Sequence, residues 1–151
     1  MRALVAGVGS PILGDDGVGI HVVRELSGRE LPATIDLCEL GTGGLAVADW
    51  LCDHDALVVV DAIITGAPPG TVHVLTGDEL ARGAHLGQGH EPSLPQALAL
   101  ARKLLEKRMP DHVWVVAVEA LELTEFSEQL SPAVQAAVPA AADRVLSLLA
   151  R

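Results

Sequence analysis

The stretch ALVVVDAII, residues 56–64, does most to narrow the folds open to this chain. It is apolar at every position except Asp61. A strand with one wet face alternates, whereas an unbroken apolar run needs cover on both faces and marks a central parallel strand. Parallel neighbours require crossover connections, so the rest of the chain should alternate strands with helices. It does. RALVA (2–6) reads as a buried first strand. The next helix carries Val18, Val22, Val23 and Leu26 on one face, and of the two aspartates at its start Asp15 is the expected cap. TIDLCEL (34–40) is the second strand, and GTGG turns the chain into a short helix over 45–51. Residues 71–75 follow the TGAPPG turn too closely for a crossover, so this strand should pair antiparallel or lie at an edge. A helix is expected over 93–107, and VWVVAVEAL (113–121) is a further buried strand. Ser131 is expected to cap the last helix, with Pro132 at its first position. Its apolar stripe is Val134, Val138, Ala141, Val145 and Leu148, and Pro139 should kink or split it. The fold class is α/β: a three-layer α/β/α sandwich with a twisted, mostly parallel five-stranded sheet, in one domain over residues 1–151.

Bulk composition excludes several functions. Half of the 151 residues are hydrophobic and a fifth are charged, as in a folded globular domain. Tyrosine is absent and there are one phenylalanine and two tryptophans, so the core is aliphatic and base-stacking platforms are lacking. A formal net charge of −10 argues against nucleic acid and against an anionic membrane surface. Cys38 and Cys52 form no CxxC pair and read as reduced thiols. No apolar run approaches a membrane span, and MRALVAGVGS meets its glycines too early for a signal peptide. The expected compartment is the cytoplasm, and the expected state a monomer.

GVGSPILGDDGVG (7–19) lies between the first strand and the first helix. Such a turn suggests phosphate binding, but Ile12 stands at the third position of a G-x-G-x-x-G fingerprint, and no Gly-Lys-Ser/Thr follows. Asp15 and Asp16 would occupy the positive helix end that a phosphate needs. A cation fits better. Ligands of open α/β sheets bind beyond the carboxyl ends of the strands. Asp16 lies past the first strand and Asp61 near the end of the central one, so two carboxylates can face one crevice. The polar, glycine-punctuated loop over 76–91 offers His90 as a third ligand, with His85 as competitor. Two carboxylates and an imidazole suit a divalent metal, without choosing among Ni, Zn, Mn and Fe. Each residue also has a plain structural role: a helix-start charge, a strand-end turn residue, a solvated histidine. The conjunction carries the hypothesis. A nucleotide-binding module is the competing reading of the glycine-rich turn. His21, His54, His73 and His112 show no convergent pattern.

The same residues resemble a known family, the hydrogenase maturation endopeptidases. GVGSPILGDDGVG resembles that family's G-x-G-N-x-L-x-x-D-[DE]-x-x-G opening, ELGTGG its second-strand turn, and VVVDAI its aspartate-bearing strand. GHEPSLPQAL (89–98) resembles its histidine loop, and LSPAVQAAV (130–138) the start of its last helix. The likeness runs over essentially the whole chain. Ser10 stands where Asn is usual, Asp16 is the shorter of the two acids used, and the histidine loop departs from its commonest form. The resemblance implies Asp16, Asp61 and His90 as metal-binding and catalytic residues. It implies nickel, delivered in the substrate, as the metal, with other divalent ions able to occupy the site in vitro. The implied substrate is the precursor of a nickel–iron hydrogenase large subunit, which loses a C-terminal extension after nickel insertion. No Ser–His or Cys–His nucleophile pair is evident. The metal either polarises the scissile carbonyl or serves as a recognition tag while a carboxylate activates water. A non-catalytic metal-binding assembly chaperone on the same fold is the alternative.

Overall fold

The computed structural model describes residues 1–41, 54–76 and 110–150. Its strands are β1 (Ala3–Val8), β2 (Ile35–Leu40), β3 (Ala56–Ile63), β4 (Val72–Thr76) and β5 (His112–Glu119). They form one sheet in the order β2-β1-β3-β5-β4. The pairs β1–β2, β1–β3 and β3–β5 are parallel, whereas β4 pairs antiparallel with β5 at the edge. The short turn before β4 thus has the consequence expected of it. Every residue of β1 and β3 is buried, as their apolar runs require. Each fully buried Val or Leu contributes about 1.5–3 kcal/mol. The edge strands β2 and β4 are only partly covered.

Two described helices, α1 (Val18–Ser27) and α2 (Pro132–Leu149), pack together on one face of the sheet. Val18, Val22 and Leu26 of α1 and Val134, Val138, Ala141, Val145 and Leu148 of α2 bury against Val5, Val58, Val60, Val116 and Val118. The opposite face carries Leu4, Ala6, Val8, Leu57, Val59, Ile63, Val115 and Ala117. The expected helices over 45–51 and 93–107 lie outside the described residues, as does the loop expected over 76–91 apart from Thr76, which ends β4. The last helix is not split: α2 is a single helix that runs through Pro139. A proline removes one helical hydrogen bond, and the stripe packed against the sheet on both sides of residue 139 keeps the helix continuous.

The turn from β1 to α1 depends on glycine for packing. Gly9 has φ of +131°, and a Cβ there would lie 1.9 Å from the Asp16 carbonyl oxygen. A Cβ on Gly19 would lie 2.2 Å from the Val60 carbonyl oxygen and 2.7 Å from that of Val8. The glycines therefore let the first turn of α1 rest on the backbones of β1 and β3. That contact sets where the residues just before α1 lie.

Candidate active site

Chain order reverses at β1. The connection through α1 places β2 on one side of it, and the chain returns to place β3 on the other. In open α/β sheets such a switch point opens a crevice at the carboxyl ends of the strands. Asp16 and Asp61 flank it. Asp16 sits in a 3-10 turn, Gly14–Gly17, that rests against β3. It is 1% exposed, and its Oδ2 accepts a 2.9 Å hydrogen bond from the Ser10 backbone N–H. Asp61 is fully buried and lies one residue beyond the last β1–β3 register pair, Gly7 with Val60. Its Oδ1 accepts a 2.8 Å bond from the Ala62 N–H. The two carboxylates thus come from adjoining elements at one end of the sheet. His90 and its competitor His85 lie outside the described residues. Among the described residues there is no group of three or more metal-capable side chains.

Asp15 corrects a sequence expectation. It does not cap α1; neither the 3-10 turn nor α1 has a side-chain cap. Its buried carboxylate reaches across the fold instead. It accepts the Ser131 N–H at 2.7 Å, the Ser131 hydroxyl at 2.9 Å and the Leu121 N–H at 2.9 Å. Ser131 occupies the N-cap position of α2 as expected, but its hydroxyl serves Asp15 and not the helix. Two acids adjacent in sequence therefore differ in role. Asp15 fastens the segment after β5, and Asp16 faces the turn after β1.

A second group at this edge was not singled out from sequence. Alternation along the strands puts Asp61, Glu119 and His73 on the sheet face of Leu57, Val59 and Ala117. Asp61 registers with Ala117 of β5, and Ala117 with His73 of β4. Glu119 is 1% exposed. It accepts hydrogen bonds from the Thr65 hydroxyl, from the Thr65 N–H at 2.7 Å, and lies 3.1 Å from His73 Nε2. Burial pushes its carboxyl pKa up, but the Thr65 and His73 hydrogen bonds outweigh this and hold it below the ordinary glutamate value. The sequence signal was a glutamate inside the apolar run VWVVAVEAL. Its partners, on β4 and in the β3–β4 turn, only the fold could supply.

Buried carboxylates at the switch point of a mostly parallel sheet make this an α/β protein with an acidic crevice at the carboxyl ends of its strands. The comparisons with known proteins narrow this class. The chain belongs to the hydrogenase maturation protease family, whose HycI family model matches residues 20–148. It is 31% identical over 152 residues to the hydrogenase 2 maturation protease of Escherichia coli (strain K12), spanning 99% of this chain and 91% of that protein. It is 32% identical over 151 residues to the hydrogenase expression/formation protein HupD of Thiocapsa roseopersicina, spanning 98% of this chain and 67% of that one. The structure of the hydrogenase maturating endopeptidase HybD from E. coli matches with a TM-score of 0.85 at 29% identity, covering 99% of this chain and 92% of that chain. The protein is accordingly a protease, with the mostly parallel α/β fold of its relatives. Among the described residues no helix is long and apolar enough to cross a membrane.

Proposed function

We propose that the protein is a nickel-dependent endopeptidase. It removes a C-terminal extension from the precursor of a nickel–iron hydrogenase large subunit after nickel has been inserted. The observation that carries this reading is the pair of buried carboxylates, Asp16 and Asp61, at the switch point of a hydrogenase maturation protease. Burying two carboxylates on adjoining elements is costly, and a divalent cation offsets that cost directly. With the His90 imidazole the donor set is O, O, N, which suits a borderline ion such as nickel. Nickel is here part of the substrate, brought by the precursor.

The ion, when present, supplies Lewis acidity toward a carbonyl oxygen or a water molecule. The protein's own residues do the rest. The Ser10 N–H on Asp16 and the Ala62 N–H on Asp61 fix the orientation of each carboxylate before substrate arrives. An oxygen of Asp16 or Asp61 takes the proton from the water that attacks the scissile carbonyl and returns it to the departing amine as the peptide C–N bond breaks. The buried setting keeps bulk water from competing for these groups.

The test is incubation of purified protein with a nickel-loaded precursor, followed by mass spectrometry of the released peptide. Asp16→Asn, Asp61→Asn and His90→Ala are each expected to slow processing by at least about a hundredfold while circular dichroism shows the fold intact. Wild-type rates in the His90→Ala variant would remove His90 from the site and leave the family assignment standing.

A further inference from the structure

Five large hydrophobic side chains are exposed among the described residues: Met1, Ile12, Ile64, Leu121 and Phe126. Met1 begins the chain. The other four all lie in segments that follow the carboxyl ends of β1, β3 and β5, the edge that carries Asp16 and Asp61. Phe126 is the chain's one phenylalanine, and at 84% it is the most exposed of the five. A chain this poor in aromatics has placed its phenylalanine in solvent.

This rim is built. The Ser127 N–H donates to the Ile12 carbonyl at 2.9 Å, and the Gly14 N–H to the Ser127 carbonyl at 2.8 Å, so Ile12 and Phe126 stand on two joined segments. Asp15 pins the segment after β5 at both ends, through Leu121 and Ser131. The Glu122 carboxylate accepts the Thr124 and Glu125 N–H groups and shapes its turn. A pocket of about 240 Å³ opens between Asp15 and this segment, and Glu122 and Glu125 line it. Charge is one-sided as well: residues 3–23, 55–75 and 110–143 contain no lysine or arginine.

We propose that this rim docks an extended peptide segment of the protein substrate, one that sets an apolar side chain on Leu121 and Phe126 and a lysine or arginine in the acidic pocket. The inference rests on the processing function above and adds to it how the substrate is held. Exposed apolar area supplies the attraction, since lone surface hydrophobes are ordinary but a group at one edge marks an interaction site. The acidic side chains that line the pocket, Glu122 and Glu125, favour a basic partner and disfavour acidic ones. The rim and the carboxylate pair lie at the same end of the sheet, so a chain docked on the rim can extend toward the proposed site of cleavage.

The experiment uses full-length protein and short fluorescein-labelled peptides, read by anisotropy. One peptide carries Leu-Val flanked by Lys and Arg. A second replaces the basic residues by Glu, and a third replaces Leu-Val by Ser-Ser. The first peptide is expected to bind, and the other two to bind at least about tenfold more weakly. A Leu121→Ser/Phe126→Ser variant, with its thermal midpoint unchanged, should lose a similar factor for the first peptide and raise KM for the precursor with kcat retained. Asp61→Asn should bind the first peptide as wild type does. Failure of the first peptide to bind, equal binding of the Glu peptide, or unaltered binding by the double variant would overturn the proposal. So would a concentration-dependent dimer in sedimentation that Phe126→Ser abolishes, because the rim would then be a self-association face. Peptide binding that follows these expectations in a protein that cleaves no precursor would sink the processing reading and leave the docking surface in place.

Discussion

Replacing Asp15 by alanine discriminates sharply between a local and a long-range role for that residue. If Asp15 only capped α1, its loss would cost about 1 kcal/mol. In the structure it is 2% exposed and accepts three hydrogen bonds from distant segments: the Ser131 N–H, the Ser131 hydroxyl and the Leu121 N–H. Alanine leaves two backbone donors without their acceptor in a partly buried setting, and each such donor costs about 1–3 kcal/mol. Water can enter from the adjoining pocket and recover part of this. The expected loss is therefore about 2–4 kcal/mol. At about 2–4 °C per kcal/mol for a chain of this size, the melting temperature should fall by about 4–16 °C. Ser131→Ala removes only the hydroxyl bond and should cost about 1 kcal/mol. In the double variant the two losses should fall short of additive, because both remove the same hydroxyl contact. Urea unfolding of the four proteins, followed by circular dichroism at neutral pH, measures all of these. A loss below about 1 kcal/mol in Asp15→Ala would refute the clamp.

Other outcomes follow from the same geometry. Gly19→Ala drives a Cβ against the carbonyls of Val60 and Val8 and must lift α1 from the sheet; urea titration should show a loss of about 3 kcal/mol or more, or no folded protein. Glu119 has a folded pKa held below its ordinary value, so its contribution to stability is complete above the ordinary glutamate range and fades as pH falls through the folded pKa. Unfolding curves between neutral pH and pH ~3 should show an acid-side decline that is shallower in Glu119→Gln, a variant less stable than wild type at neutral pH. The Cys38 thiol is buried and pushed up to about 11 by that burial; peptide mapping after iodoacetamide at pH ~8 should find Cys38 unlabelled in native protein and labelled once it is unfolded.

The sequence by itself determined the order of elements. Both period-2 and period-3.6 patterns are local, and apolar runs such as 56–63 say how many faces must be covered. It also identified β4 as antiparallel or at an edge, because a short turn cannot hold a crossover. It placed Asp16 and Asp61 at the same end of the sheet, because both follow buried parallel strands. The helix over 93–107 and His90 were expectations from the same patterns, and they fall outside the described residues.

What only the tertiary structure decided is the division of labour between neighbours. Asp15 and Asp16 are chemically identical and adjacent in GVGSPILGDDGVG. They differ because one meets Ser131 and Leu121, more than a hundred residues away, and the other meets Ser10. By sequence the glycines of that turn suggest a phosphate loop. In the fold Gly9 and Gly19 are filled from behind by the chain's own carbonyl groups. Glu119 gains its role from a hydroxyl and an imidazole on other segments. Strand and helix propensities are properties of a window of residues, whereas a side chain's partner depends on which windows the sheet brings side by side. No local pattern encodes that second fact.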